Sequence, residues 1–171
     1  MNLKSTKRFF LITGILQRRG LELDNLIQYR LYNAKEKLEA AEILLNAGKY
    51  KDSIGRSYYA IFSAVRAILA LDHVDFSKHA GVISYFQKEY IKTKKFDTKF
   101  SKYLQTAFQI RNVCDYDDFY IASKQDAEIQ IEHAKEFLEA VKAFLSEQIS
   151  SKAVANLTAG IVSPKLDLSE E

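Results

Sequence analysis

Apolar residues recur at alternating steps of three and four along most of the chain, the spacing of one face of an α-helix. The pattern predicts five helices, over residues 25–47, 49–71, 79–91, 98–114 and 124–149. No segment shows sustained alternation of apolar and polar residues, which a half-buried strand would need. We therefore expect an all-α fold, an up-and-down four-helix bundle with one additional short helix.

The second predicted helix is the most apolar and should lie at the centre of the bundle, because apolar residues spread far around it. One stripe consists of large residues: Ile54, Tyr58, Ile61, Val65 and Ile68. A second stripe consists of alanines, which let another helix approach closely: Ala60, Ala64 and Ala67. The remaining face is shared by Arg56, Tyr59, Ser63 and Arg66.

The composition suits one globular domain, because 171 residues with 47% hydrophobic side chains can bury a sizeable core. One Pro and six Gly argue against a loop-rich fold, since turns use these residues. The single cysteine, Cys114, excludes an internal disulfide. A reducing cytoplasm is therefore the expected compartment.

The charge is uneven and suggests three regions. Residues 1–23 hold five Lys or Arg against one acidic residue, and residues 150–171 hold two Lys against three acids. With a net charge of +3 for the whole chain, the remaining 24–149 are neutral. We predict a basic extension at 1–23, a helical domain at 24–149 that begins with Asp24 as a helix N-cap, and a flexible or partner-dependent tail at 150–171.

The apolar run at 9–16 is too short to span a bilayer and has no cleavage site of a signal peptide. No membrane partner is expected. Six lysines fall between residues 88 and 102, interleaved with Phe96 and Phe100. This stretch could contact phosphates and stack bases. We favour a solvated lysine-rich loop with inward aromatics, because the domain as a whole is neutral.

The most chemically dense stretch is residues 109–120, at the end of the fourth predicted helix. Arg111 falls on the same helical line as Leu104 and Ala107. Burying a guanidinium without a partner is costly, so an anion should face it. Asp115, one turn on, and a bound phosphate are both suitable, and the residues alone leave the two near even.

Other chemistry is weakly supported. The histidines His73, His79 and His133 lie in three different elements without ligand spacing, so no metal is predicted. No Gly-rich phosphate loop is present, no cofactor is expected, and no general base stands near the Cys114 thiol in the sequence.

Three short motifs, placed in order on this helical pattern, resemble the HEPN family (higher eukaryote and prokaryote nucleotide-binding domains), in particular its small stand-alone prokaryotic branch. They are residues 57–62 (SYYAIF), residues 78–82 (KHAGV), and Arg111-Asn112 followed by Asp115-Tyr116. The resemblance covers roughly residues 25–149. It implies a homodimer whose arginine-bearing segments face a shared cleft, and a role in toxin–antitoxin-like systems with a nucleotidyltransferase partner.

Many members of the family are metal-independent ribonucleases with an Arg, a polar residue, and a His four to six residues after the Arg. Here the positions for that His hold Tyr116, Asp117 and Asp118. A phenol, with a pKa of about 10, is a poor general base at neutral pH. The resemblance therefore implies a nucleotide- or RNA-phosphate-binding dimer with an incomplete ribonuclease motif.

The residues expected to bind phosphate are Arg111, Asn112, Asp115, Tyr59 and His79, and those for any catalysis are Arg111, Asn112 and Tyr116. Two alternatives stay open. The first is a ribonuclease toxin that uses Tyr116 or His79 in place of the missing His. The second is a non-catalytic helical interaction module in which Arg111 pairs with Asp115.

Overall fold

The computed structural model describes the backbone of residues 3–160, and the side chains of residue 18, residues 20–151 and residues 154–155. Five helices follow one another: α1 (Leu3–Asn46), α2 (Tyr50–Leu71), α3 (His79–Phe86), α4 (Thr98–Tyr116) and α5 (Lys124–Gly160). A single π-helical turn, Gln87–Ile91, extends α3. The described residues form no strand, so the all-α prediction is confirmed.

The central position predicted for the second helix is also confirmed. Helix α2 packs against α1, α4 and α5, and its interface with α1 is the most extensive in the bundle. All five residues of its large stripe are fully buried, and the three alanines of its small stripe are 0–1% exposed. Helix α5 presents a complementary buried stripe: Ala127, Ile131, Ala134, Leu138, Val141 and Leu145.

The helix ends follow local chemistry. Gly48 ends α1 with φ +71°, a left-handed conformation that favours glycine. Ser123 and Asp126 form a reciprocal capping box at the start of α5, with Ser123 Oγ accepting from the Asp126 N–H and Asp126 Oδ2 accepting from the Ser123 N–H. Asp97 caps α4 by accepting from the Lys99 N–H.

Two predicted boundaries are wrong. Asp24 is not an N-cap, because α1 runs through it from Leu3 to Asn46. Aspartate is favoured at a helix N-cap, but it does not end a preceding helix by itself. No proline interrupts this stretch. Helix α5 likewise continues past Ile149 to Gly160. The division at 23/24 and 149/150 stays a prediction, and residues 161–171 lie outside the described residues.

The aromatic residues of the lysine-rich stretch point inward, as predicted. Phe96 and Phe100 are each 7% exposed and belong to the main core cluster. Lys99 pairs with Glu136, and the Lys95 ammonium lies 4.7 Å from the centre of the Tyr90 ring. The phenylalanines are therefore not available to stack bases.

Among the described residues, α2 alone has the length and hydropathy of a membrane-spanning helix. Of its most apolar window, 67% is buried inside the bundle. A central core helix of a helical bundle has the same properties, and the packing of α2 fits that explanation.

Candidate functional site

Arg111 lies in the last turns of α4, on the line that also carries Leu104 and Ala107. Those two residues are fully buried, and the Arg111 side chain is only 16% exposed. The sequence-based expectation of a guanidinium held against the core is confirmed. A charge in this position requires polar partners.

The partners of Arg111 come from two helices. Its Nη2 lies 2.6 Å from Asp115 Oδ2, one turn on in α4, and also donates to the Tyr59 hydroxyl of α2 at 3.0 Å. Its Nη1 donates to Asn112 Oδ1 at 3.1 Å. The pairing with Asp115 that the spacing suggested is present. Four of the predicted site residues thus form one hydrogen-bonded cluster.

The Arg111 guanidinium is also flanked by two aromatic rings. Its central carbon lies 5.5 Å from the Tyr59 ring centre and 5.9 Å from that of Tyr116. Burial works against the charge, yet Tyr59, Asp115 and Tyr116 together keep the pKa of Arg111 above its ordinary value. Tyr116 itself is 79% exposed, so the cluster opens to solvent on that side.

One nitrogen of the guanidinium has no partner among the residues that the structure describes. Arg111 Nε is buried and makes no hydrogen bond within the described part of the chain. An unsatisfied buried donor costs about 1–3 kcal/mol. The site therefore keeps a cation whose hydrogen-bonding capacity is not fully used by the described residues.

His79, the first residue of α3, joins this cluster from the other side of Tyr59. Its ring centre lies 4.3 Å from that of Phe62 and 6.1 Å from that of Tyr59, and its Nδ1 is 2.9 Å from the Tyr58 hydroxyl. Burial, with the charges of Arg111 and Arg66, lowers the pKa of His79. The imidazole is therefore neutral at pH 7, and its Nδ1 is occupied by the Tyr58 hydroxyl.

The structure thus brings all six predicted site residues together. The sequence did not identify the surroundings of His79. Tyr58 counted as a core residue of α2, and it is fully buried, but its hydroxyl contacts the imidazole. Burial raises the pKa of Tyr58 well above its ordinary value. The sequence did contain a signal for this contact. Tyr58 places a phenol on an apolar stripe, and a buried hydroxyl needs a hydrogen-bond partner.

A second arginine network was also missed. Arg30 of α1, 9% exposed, lies 2.6 Å from Asp75 Oδ2, and Arg66 contacts the same carboxylate with two nitrogens. Arg30 stands on the buried line with Ile27 and Ala34. This is the same signal that identified Arg111, a cation on an apolar stripe.

A cavity of about 650 Å³ lies at the C-terminal end of α2, and none of the predicted site residues lines it. Within the described ranges, no group of three His, Cys, Asp or Glu side chains could hold a metal ion. Cys114 is half-buried, and burial raises the pKa of its thiol. A raised pKa disfavours the thiolate that a nucleophile requires.

The bundle and its arginine cluster define a class of small helical proteins, and comparison with known proteins identifies the family. The family model described as "HEPN domain" matches residues 27–144. The chain belongs to the HEPN family.

Curated relatives agree with this assignment. A Methanocaldococcus jannaschii protein named "Putative toxin MJ0142" is 35% identical over 72% of this chain and 82% of its own length. A Thermotoga maritima protein named "UPF0332 protein" is 30% identical over 74% of this chain and 96% of its own length. A second Methanocaldococcus jannaschii protein, "Putative toxin MJ0605", is 31% identical over 71% of this chain and 90% of its length. The chain is therefore similar to a toxin-like branch of the family.

Proposed function

We propose that this HEPN protein binds a phosphate group of a nucleotide or of RNA through Arg111, with little or no catalytic activity of its own. In this proposal Asn112 supplies an amide donor beside the guanidinium, and Tyr59 fixes the guanidinium plane. The biological setting would be a toxin–antitoxin-like system, which the names of two relatives support.

The observation that carries the proposal is the incompletely satisfied guanidinium of Arg111. It is held at the edge of the core by Tyr59 and Asp115, its Nε lacks a partner among the described residues, and the cluster opens beside the exposed Tyr116. Planar guanidinium groups recognise phosphate by paired hydrogen bonds. Asn112 uses its amide oxygen for Arg111, and its Nδ2 group makes no hydrogen bond within the described ranges, so it can donate to an anion.

The exposed residues beside this cluster support a homodimer. Tyr116, Phe119 and Ile121 are 79–93% exposed. Three large apolar side chains exposed so close together are typical of an interaction surface. A dimer formed through them would place two Arg111 clusters near one another. The expected nucleotidyltransferase partner stays a prediction from the resemblance, and the cytoplasmic location stays a prediction from the single cysteine.

The test of the proposal is a calorimetric titration of the purified protein with ATP and with a short single-stranded RNA. Arg111→Ala should abolish binding of ATP and weaken binding of the RNA, while Arg18→Ala, at an exposed position far along α1, should leave both unchanged. Unchanged affinity in a folded Arg111→Ala protein would refute the proposal. Sedimentation of the same samples measures the oligomeric state.

A metal-independent ribonuclease is the second candidate, and one observation favours it. His79 lies 6.1 Å from the Tyr59 ring that contacts Arg111, and its lowered pKa keeps the imidazole neutral. A neutral imidazole can accept the proton of a ribose 2′-hydroxyl, while Arg111 would hold the scissile phosphate. The products would be a cyclic phosphate and a free 5′-hydroxyl.

Incubation of RNA with the wild-type protein, His79→Gln and Tyr116→Phe separates the two candidates. Cleavage with cyclic phosphate ends that is lost in His79→Gln would establish the ribonuclease. Intact RNA at high protein concentration, together with Arg111-dependent binding, would leave the binding function alone.

A further inference from the structure

A second basic site lies between α1 and α2, separate from the Arg111 cluster. It is a groove of about 410 Å³ lined by Leu26, Tyr29, Arg30, Asn33, Lys37, Ser63 and Arg66. We call it the α1–α2 groove. Polar and basic side chains predominate in its lining, and Tyr29 at its edge is 64% exposed.

The groove is strongly cationic. Arg30, Lys37 and Arg66 line it, and the charge of Arg56 acts on Lys37 from the next turns of α2. The one carboxylate paired with these cations in the described part of the chain is Asp75, which contacts Arg30 and Arg66. Lys37 donates only to the Asn33 carbonyl, at 3.4 Å. Two cations are therefore left without an acidic partner there.

The groove and the Arg111 cluster are two separate sites that both involve the polar face of α2. Arg56, Tyr59, Ser63 and Arg66 share the polar face of that helix, and Tyr59 contacts Arg111 on the side of α4. The charges of Arg66 and Arg111 both act on His79, so this imidazole is near enough to feel both guanidinium groups. Tyr59 and Arg66 are seven positions apart, a rise of about 10 Å. One phosphate group is too small to reach both ends.

We propose that the α1–α2 groove is a second phosphate-binding site, which takes the backbone of a single-stranded oligonucleotide whose neighbouring phosphate is held at Arg111. The identity of this ligand rests on the proposed function of Arg111. Lys37 and Arg56 contact the additional phosphates, and Arg30 and Arg66, fixed by Asp75, supply the charge of the groove floor. Tyr29 offers its ring to a base.

An oligonucleotide fits this groove better than other anions. Basic grooves with an exposed aromatic ring bind single strands through phosphate contacts and base stacking, without sequence preference. A free mononucleotide would occupy only one of the two sites. The ligand should therefore extend over both, and its affinity should depend strongly on salt.

Lys37 and Arg56 are the residues to change, because neither pairs with a carboxylate in the described part of the chain and their removal leaves Asp75 paired. The double variant Lys37→Ala/Arg56→Ala is compared with Lys92→Ala/Lys102→Ala. The second pair removes the same charge from exposed lysines of the lysine-rich stretch. Binding of a fluorescent oligomer of about twelve 2′-O-methyluridines, which has no 2′-hydroxyl to react, is followed by anisotropy from roughly 50 to 200 mM salt.

The groove variant should weaken binding of the oligomer by roughly 2- to 30-fold, the range for two charge pairs near the surface. Its slope of log affinity against log salt should fall by about 1.4, since each lost contact to a single strand removes about 0.7. Binding of ATP should not change. Tyr29→Ala should weaken binding of the oligomer without changing the slope of log affinity against log salt. The lysine-rich control should bind as the wild type does.

Several results would overturn the inference. Wild-type-like affinity and slope in the groove variant would confine binding to Arg111, and equal weakening in the lysine-rich control would indicate general charge attraction. A change of sedimentation coefficient in the groove variant would make the groove a contact between copies. Failure of Arg111→Ala to affect ATP, with the groove variant still weakening the oligomer, would refute the proposed function of Arg111 and leave the groove as an independent site.

Discussion

Arg111 and Asp115 face each other across one turn of α4, with 2.6 Å between Nη2 and Oδ2. An anion of the protein itself therefore occupies part of the guanidinium that we propose to bind phosphate. The carboxylate has two opposite effects on the site. It offsets the cost of keeping Arg111 at the edge of the core, and it competes with any phosphate that approaches the same nitrogen.

Asp115→Asn should strengthen phosphate binding. The amide keeps the shape of the side chain and removes one negative charge, and two unit charges 4 Å apart in water interact by about 1 kcal/mol. The dissociation constant for ATP should fall about fivefold, measured by calorimetry. Because Asp115 is 40% exposed, the stability lost with the pair should stay below about 1 kcal/mol.

The control for this experiment is Asp118→Asn, an exposed acid beyond the end of α4 with the same change of net charge. It should have a much smaller effect on ATP affinity. Weaker binding in Asp115→Asn would contradict competition. It would mean that the carboxylate orients Arg111 for the ligand.

The spacing of apolar residues predicted the bundle because residues three or four positions apart lie on one face of a helix, and that face is buried. The fully buried line from Ile54 to Ile68 in α2 is an example. The prediction of a helix start at Asp24 was wrong, because the residues before it are themselves helical and α1 continues through this position. Arg111 was found from its place on an apolar line. The contact of Tyr58 with His79 joins residues of two helices, and no local spacing encodes such a pairing.

Asp75→Asn should destabilise the bundle through Arg30. Arg30 is 9% exposed and depends on this carboxylate at 2.6 Å and on the Arg66 carbonyl at 2.7 Å. Loss of the charge leaves two guanidinium groups with one neutral acceptor. We expect the free energy of unfolding to fall by about 1–2 kcal/mol in urea denaturation.

The effect of Asp75 should also depend on pH. Burial alone would raise the pKa of Asp75, but the hydrogen bond from Arg66 and the charges of Arg30 and Arg66 outweigh it and lower the pKa. The stabilisation is therefore present above the ordinary carboxyl pKa of about 4 and is lost as the pH falls below it. Wild type and Asp75→Asn should converge in stability in acid. A constant difference down to about pH 2 would contradict this account.

Stability should fall as the pH drops below about 6.5 because of His79. Burial and the nearby Arg111 and Arg66 lower the pKa of this imidazole, so below pH 6.5 the unfolded chain binds a proton that the folded protein resists. His79→Gln should reduce the loss of stability in this range. His133, whose pKa burial also lowers, should account for part of the remaining slope.

The measurement is the free energy of unfolding in urea at about pH 5.5, 6.5 and 7.5. The control is His73→Asn, because His73 is exposed and has φ 55°, a conformation that Asn tolerates. An unchanged pH dependence in His79→Gln would show that this imidazole is free to protonate in the folded protein.

Two glycines should respond in opposite directions to alanine, and the difference tests the packing around His79. A Cβ added at Gly81 in α3 would lie 2.9 Å from Phe76 Cδ1 and 3.1 Å from Phe76 Cβ. Because Cβ is bonded directly to the backbone, the connection before α3 must shift to make room. We expect Gly81→Ala to destabilise the protein by about 1–3 kcal/mol, the usual cost of overpacking.

The matched control is Gly55 in α2, which has nothing within 4 Å of the added Cβ. Gly55→Ala should therefore stabilise the protein by about 0.5–1 kcal/mol through helix propensity. Both values come from thermal or urea unfolding. If Gly81→Ala stabilised the protein as much as Gly55→Ala, the close approach of Phe76 to α3 would be wrong, and with it the position of His79 two residues before Gly81.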